Sequence, residues 1–153
     1  MRQYNKLIFV DEDDNSRATM AKIIARSKFS SDNIVVESRG LIVLFAEPIN
    51  QKAAAVLISK GYQVEDHVAH QLEQSDIGDD VLLLTMEDSQ KEKIWTNYEN
   101  AASVYTLSEY IGGDHDIAPL FGEALTEYGR CYEVLDLLIK NLVIRLRKQF
   151  LQK

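Results

Sequence analysis

Apolar runs of strand length alternate with stretches of helical periodicity along this chain, and that alternation constrains the fold more than any other feature. KLIFV (6–10) is a short apolar run ended by acids, and NIVVES (33–38), DDVLLLT (79–85) and ASVYTL (102–107) read as further strands. Between them, Ser16 to Lys28 places Met20, Ile23, Ile24 and Ala25 on one helical face. INQKAAAVLISKGY (49–62) reads as a helix with Asn50 as its N-cap and Gly61 just past its end. Ser89 is placed to cap a helix through Tyr98. From about Ala124 a long amphipathic helix runs to Gln149, with Leu125, Tyr128, Leu135, Leu138, Ile139, Leu142 and Leu146 turned inward. Strands that alternate with helices imply βαβ units and a mostly parallel sheet, whose right-handed crossovers put helices on both faces. In such sheets sites form at the carboxyl ends of the strands. Loops 11–17 and 111–121 are therefore expected to meet there.

The 153 residues suggest one domain over 1–153, and 46% apolar with 27% charged residues is ordinary for a globular chain. A net charge of −7 argues against a broad nucleic-acid surface or an anionic-membrane surface. The basic C-terminal RLRKQFLQK reads as the exposed face of a last helix. The single cysteine, Cys131, allows no intramolecular disulfide, and a cytoplasmic setting is expected. MRQYNKLIFV holds no apolar segment of signal-peptide length, and no run reaches the roughly 18 apolar residues of a membrane helix.

The stretch LIFVDEDDNSRATMAKIIA (7–25) carries the functional question. A buried strand, a short loop and a helix form the usual layout of a phosphate pocket, with backbone N–H groups and a positive helix end facing the anion. Here the loop holds Asp11, Glu12, Asp13 and Asp14.

Several segments in order resemble the low-molecular-weight protein tyrosine phosphatases. SRATMAKIIA resembles that family's Arg-Ser-Pro-Met-Ala-Glu entry into the first helix, and VVESRGL its Ser-Ala-Gly segment. PINQKAAAVLISKGY, DHVAHQL and DDVLLLTME resemble its middle third. DIAPLFGEALTEY falls in register with its general-acid loop, Asp-Ile-Pro-Asp-Pro-Phe-Gly-Gly in bacterial members. The resemblance implies a three-layer α/β/α sandwich on a four-stranded parallel sheet. It also implies a catalytic loop of Cys, five residues, then Arg-Ser or Arg-Thr. Set against that pattern, Arg17 keeps the arginine position, and Asp11 falls on the cysteine. Asp14 falls on the loop asparagine, Ser16 on a second cysteine, and Ala18 on the hydroxyl that supports the thiolate. Pro119 falls on the general-acid aspartate and Leu120 on the proline after it. Phe121 would belong to the wall that contacts a substrate ring, or would anchor the loop by packing. Self-association through the active-site face is a further implication of the resemblance.

A thiolate phosphatase needs a low-pKa cysteine at a helix N-terminus. Cys131 lies far along the chain and reads as a buried, inert thiol. Each unit-charge repulsion at 4 Å is about 1 kcal/mol in water and about 4 kcal/mol at an effective dielectric of 20. One arginine and a helix end worth about 0.3–1 kcal/mol per charge do not offset four carboxylates and a phosphate dianion. The expected function is a catalytically inactive pseudophosphatase that acts by binding. Its binding residues would be Asp11, Glu12, Asp13, Asp14, Asn15, Ser16, Arg17 and Phe121, presented to a cationic protein partner, and no metal or cofactor is expected. Arg17 is expected to be pinned by the neighbouring acids. Against this stands a purely stabilising role, in which acids sit well at a helix N-terminus and Asp13, Asp14 or Asn15 caps the first helix.

Two enzymatic alternatives stay open: a residual tyrosine phosphatase and a Mg-dependent phosphatase with an aspartate nucleophile. For the second, Asp11-x-Asp13 at a strand end, Thr85, and Asp114 with Asp116 resemble the haloacid-dehalogenase-like motifs, although the flap of that family has no room before the first helix. A response-regulator receiver lacks an aspartate after GLIVLF and a lysine after SVYTL. His67 and His70 could share a helical face but read as surface or capping residues, and His115 as exposed loop. Met86, Trp95 and Tyr98 read as core or sheet cover, and Tyr110 flanks the pocket loop.

Overall fold

A computed structural model describes residues 3–151. Its four strands are β1 (Lys6–Asp11), β2 (Val35–Gly40), β3 (Val81–Thr85) and β4 (Val104–Thr106), all parallel, in the order β2-β1-β3-β4. The central strand β1 is buried on both faces, as its unbroken apolar run requires. Leu7 and Phe9 face a core built with α1 (Arg17–Lys28), α2 (Gln51–Ser59) and the long α5 (Leu125–Leu151). Ile8 and Val10 face a smaller core with Leu72, Ile94 of α3 (Asp88–Asn97) and Tyr98. The result is the parallel sheet with helices on both faces that the alternation implied, in the three-layer, four-stranded form that the resemblance implied.

Local signals account for most boundaries. Asn50 caps α2, its Oδ1 accepting from the N–H groups of Lys52 and Ala53, and Gly61 turns the chain afterwards at φ 93°. Expectations fail where short-range chemistry was misread. Glu87 rather than Ser89 starts α3, through a capping box with Gln90. β4 is only three residues long, because Thr106 caps a single helical turn, α4 (Leu107–Tyr110), by accepting from Glu109 N. Residues 63–70 contain no helix, so His67 and His70 share no helical face. Leu125 and Trp95 are exposed, and the Lys91 ammonium lies 5.4 Å from the Trp95 ring centroid. None of the described helices is long and apolar enough to cross a membrane.

The topology brings three strand ends together. Asp11 stands opposite Gly40 of β2, and Val10 opposite Thr85 of β3, so the loops after β1, β2 and β3 share one edge of the sheet. Gly40 is needed for this crowding. A Cβ there would lie 2.8 Å from the Asp13 carbonyl carbon and 2.7 Å from Val43 Cγ2.

Candidate functional site

The loop 12–16 folds back over Asp11, and Asp11 fills the loop from within. Its Oδ1 accepts the N–H of Asp14 at 2.7 Å, and its Oδ2 accepts that of Ala18, in the first turn of α1, at 3.0 Å. Those donors are the kind that would otherwise face a bound anion. Ser16 occupies the N-cap position with no side-chain bond, and none of Asp13, Asp14 and Asn15 caps the helix; the carboxylate of Asp11 takes over that work from the strand end. Asp11 is 1% exposed, and burial pushes its pKa up to about 6, against the pull of the Ala18 N–H and the Arg17 cation.

The four acids do not crowd one pocket. Asp14 adopts a left-handed backbone at φ 55° and is fully buried. Its Oδ1 accepts from Thr19 Oγ1 and its Oδ2 from the N–H of His70 at 2.9 Å, while its carbonyl lies 2.7 Å from His67 Nε2. Glu12 pairs with Lys93 at 3.2 Å, leaving Asp13 as the exposed acid of the loop. The charge is separated because Asp11 and Asp14 turn inward onto backbone N–H donors, while Glu12 and Asp13 between them face outward. Asn15 reaches outward to Glu47 at 3.2 Å, and its carbonyl takes the N–H of Asn50.

Arg17 is pinned, though not by the acids of its own loop. Nη1 donates to Glu87 Oε2 and to the carbonyl of Ile117, both at 2.7 Å, while Nε is buried without a partner among the described residues. Glu87 follows β3, and the neighbouring position of β3 beside β1 is the signal that could have found it. The second loop is held in reach by Ile117 N donating to Met86 O and by Asp116 accepting the N–H of Asp88. Loops 11–17 and 111–121 thus meet, as expected. Ile117 and Leu120 are buried anchors of that loop, whereas Pro119 is exposed and Phe121 is 97% exposed, so Phe121 is no packed anchor.

Cys131 lies in α5, where it lines a cavity with Ile117 and Leu120 of the second loop. Burial pushes its thiol up to about 12, which leaves it protonated and inert. The haloacid-dehalogenase-like constellation does not assemble. Thr85 Oγ1 donates to the Glu87 carbonyl, Asp116 serves Asp88, and Asp114 is exposed. Among the described residues no three His, Cys, Asp or Glu side chains form a metal-binding group. His67, read as a surface residue, is buried against Asp14; no pattern in its neighbourhood announced that role.

The family model for low molecular weight phosphotyrosine protein phosphatase matches residues 6–152. The chain is 31% identical over 137 residues to a low molecular weight protein-tyrosine-phosphatase PtpB of Staphylococcus haemolyticus, covering 90% of this chain and 96% of that one. It is 32% identical to PtpB of Staphylococcus epidermidis over 136 residues, covering 88% and 95%. Among solved structures, a low molecular weight protein tyrosine phosphatase from T. tengcongensis superimposes with TM-score 0.88 at 28% identity, covering 92% of this chain and 99% of that one. The YwlE arginine phosphatase from Geobacillus stearothermophilus does so with TM-score 0.91 at 26% identity, covering 97% and 96%. With the whole sheet and both site loops inside the matched region, the chain belongs to the low molecular weight phosphotyrosine protein phosphatase family.

Proposed function

We propose that this protein is a catalytically inactive member of the family that acts by binding a protein partner at the mouth formed by loops 11–17 and 111–121. The similar proteins are named protein-tyrosine-phosphatase in one case and arginine phosphatase in another, so membership alone does not fix a substrate. The observation that carries the reading is Asp11. A carboxylate stands at the end of β1 and takes the loop's own N–H donors, from Asp14 and Ala18. An incoming phosphate would have to displace an internal anion from those donors and compete with Glu87 for Arg17.

Asp11 and Asp14 are buried, so a cationic partner would meet only Glu12 and Asp13 of the acid run. Beside them the loop after β2 exposes Ile42, Leu44 and Phe45, with Ile42 N bonded to the Glu12 carbonyl. Phe121 adds an exposed aromatic ring on the second loop. An apolar rim with two surface carboxylates suits a partner segment that combines apolar side chains with a basic one.

The test is hydrolysis of para-nitrophenyl phosphate with and without Mg²⁺, beside an Asp11→Cys variant. Wild type is expected to be silent under both conditions. The variant is expected to stay silent too, because Pro119 offers no acid and Glu87 holds Arg17. Mg²⁺-dependent turnover by wild type would overturn the reading and make Asp11 a nucleophile.

A further inference from the structure

A surface helix needs one apolar stripe, the one it turns to the core. α5 has two. Tyr128, Leu135, Ile139, Leu142 and Leu146 are buried in the main core. Val134, Leu137, Ile144 and Leu151 are also large and apolar, yet they are between 47% and 85% exposed. With the exposed Asn141 and Lys148 among them, they run 134, 137, 141, 144, 148, 151, in steps of three and four by turns. That is the spacing of a helix seam that packs on another helix. From Val134 to Leu151 the stripe is about 26 Å long at 1.5 Å per residue. On one flank Val134, Leu138 and Asn141 open onto a groove of about 560 Å³ shared with residues 111–117 of the second loop, so a facing side chain has room there.

The charge of α5 is divided along its length. Its first half, Leu125 to Asp136, holds Glu127, Glu133 and Asp136 against the single base Arg130. Its second half, Leu137 to Leu151, holds Lys140, Arg145, Arg147 and Lys148 and no acid. Two copies of this helix laid parallel would set basic half on basic half. Laid antiparallel about a two-fold axis near residues 139–140, they set acidic half on basic half. Val134 of one copy then comes opposite Ile144 of the other, and Glu133 beside Arg147. The axis repeats each pair, so one patch serves both copies. Glu133 and Arg147 are both well exposed, and their pairs within the chain, with Lys60 at 3.3 Å and Asp32 at 2.8 Å, are surface pairs worth little. Lys140, close to the axis, keeps its own counter-charge in Asp136 at 3.2 Å.

We propose that this protein self-associates through the exposed face of α5, as an antiparallel two-fold dimer with Val134, Leu137, Leu138 and Ile144 in its seam. This face shares no residue with the rim of the mouth formed by loops 11–17 and 111–121, so the dimer does not depend on what that mouth binds. A seam of one helix pair is small for a specific interface, and the dimer is expected to be a weak one that forms with rising concentration.

Sedimentation velocity of the full chain over a concentration series tests this. The average mass should climb from that of one chain toward that of two. Leu137→Glu should weaken association at least about tenfold, because it places a carboxylate in the seam. Ile144→Glu, a second exposed seam position, should do the same, and circular dichroism of both variants separates lost pairing from lost folding. Glu133→Lys and Arg147→Glu should each weaken the dimer, and the two together should restore it. Phe45→Ser and Phe121→Ser, at the mouth, should leave it unchanged. A chain that stays single at every concentration overturns the proposal. So does a dimer that survives both seam variants, or one that dissolves with the mouth variants instead. Charge reversals that leave the dimer intact, or a double reversal that fails to restore it, overturn the antiparallel pairing.

Discussion

Arg17 donates one guanidinium nitrogen to Glu87 Oε2 at 2.7 Å, with Arg17 5% and Glu87 21% exposed at the side chain. That single pairing joins the start of α1 to the end of β3 and takes the loop's cation out of play. Glu87→Gln should lower stability by about 1–3 kcal/mol, since a hydrogen bond to a charged group is weakened in a partly buried setting. The same change should strengthen binding of orthovanadate or inorganic phosphate at the loop, measured by calorimetric titration beside thermal unfolding. A variant that is destabilised yet gains no affinity for oxyanions would show that Asp11 alone blocks the cradle.

Asp11 gives a pH signature with a definite sign. Its pKa is about 6 in the folded protein, against an ordinary 3.8, so the folded state holds a proton there that the unfolded chain has lost. Ionising Asp11 therefore costs stability as pH rises through that window. The stability of wild type relative to Asp11→Asn should improve by up to about 3 kcal/mol between pH 7 and pH 4. Chemical denaturation of both proteins at several pH values measures this, and a pH-independent difference would contradict it.

His67 shifts the other way. Its pKa is lowered in the folded state, so below the unfolded value of 6.5 the unfolded chain takes up a proton that the folded one refuses. Stability from this group is present above that pH and lost as pH falls through it. His67→Gln should remove that acid-side loss. It should also cost about 1–3 kcal/mol at neutral pH and raise amide exchange at Asp14 and Asn15, because the Asp14 carbonyl loses its buried donor.

Gly40→Ala tests the crowding of the three loops. The added methyl would meet the Asp13 backbone at 2.8–2.9 Å, where only a shift of the loop makes room. A loss of about 1–3 kcal/mol is expected from such overpacking. Amide chemical-shift changes should centre on residues 11–15 and 40–43; changes spread evenly over the sheet would contradict the contact.

The fold was readable because its signals are local or periodic. The apolar runs of β1 and β3, the Asn50 cap and the inward stripe of α5 each announce an element within a few residues. Element edges were missed where two polar residues compete for one role, as Glu87 does with Ser89. The site was readable in part. Asp11, Arg17 and the meeting of the two loops followed from their places in the pattern. The partners did not, since Glu87 is 70 residues from Arg17 and His67 is 53 from Asp14.

By itself the sequence determined that this chain builds a parallel sheet with helices on both sides, and that its loop after the first strand carries Asp11 and an arginine where a phosphate would be held. Only the tertiary structure decided what those groups do. Hydropathy and spacing act along the chain and survive in any register of reading. Whether a carboxylate faces solvent, caps a helix or pairs with an arginine depends on which distant groups the sheet order brings within hydrogen-bond reach. Asp11 was turned onto Asp14 and Ala18, Arg17 onto Glu87, and Lys22 onto His67 by that order, and burial then raised the pKa of Asp11.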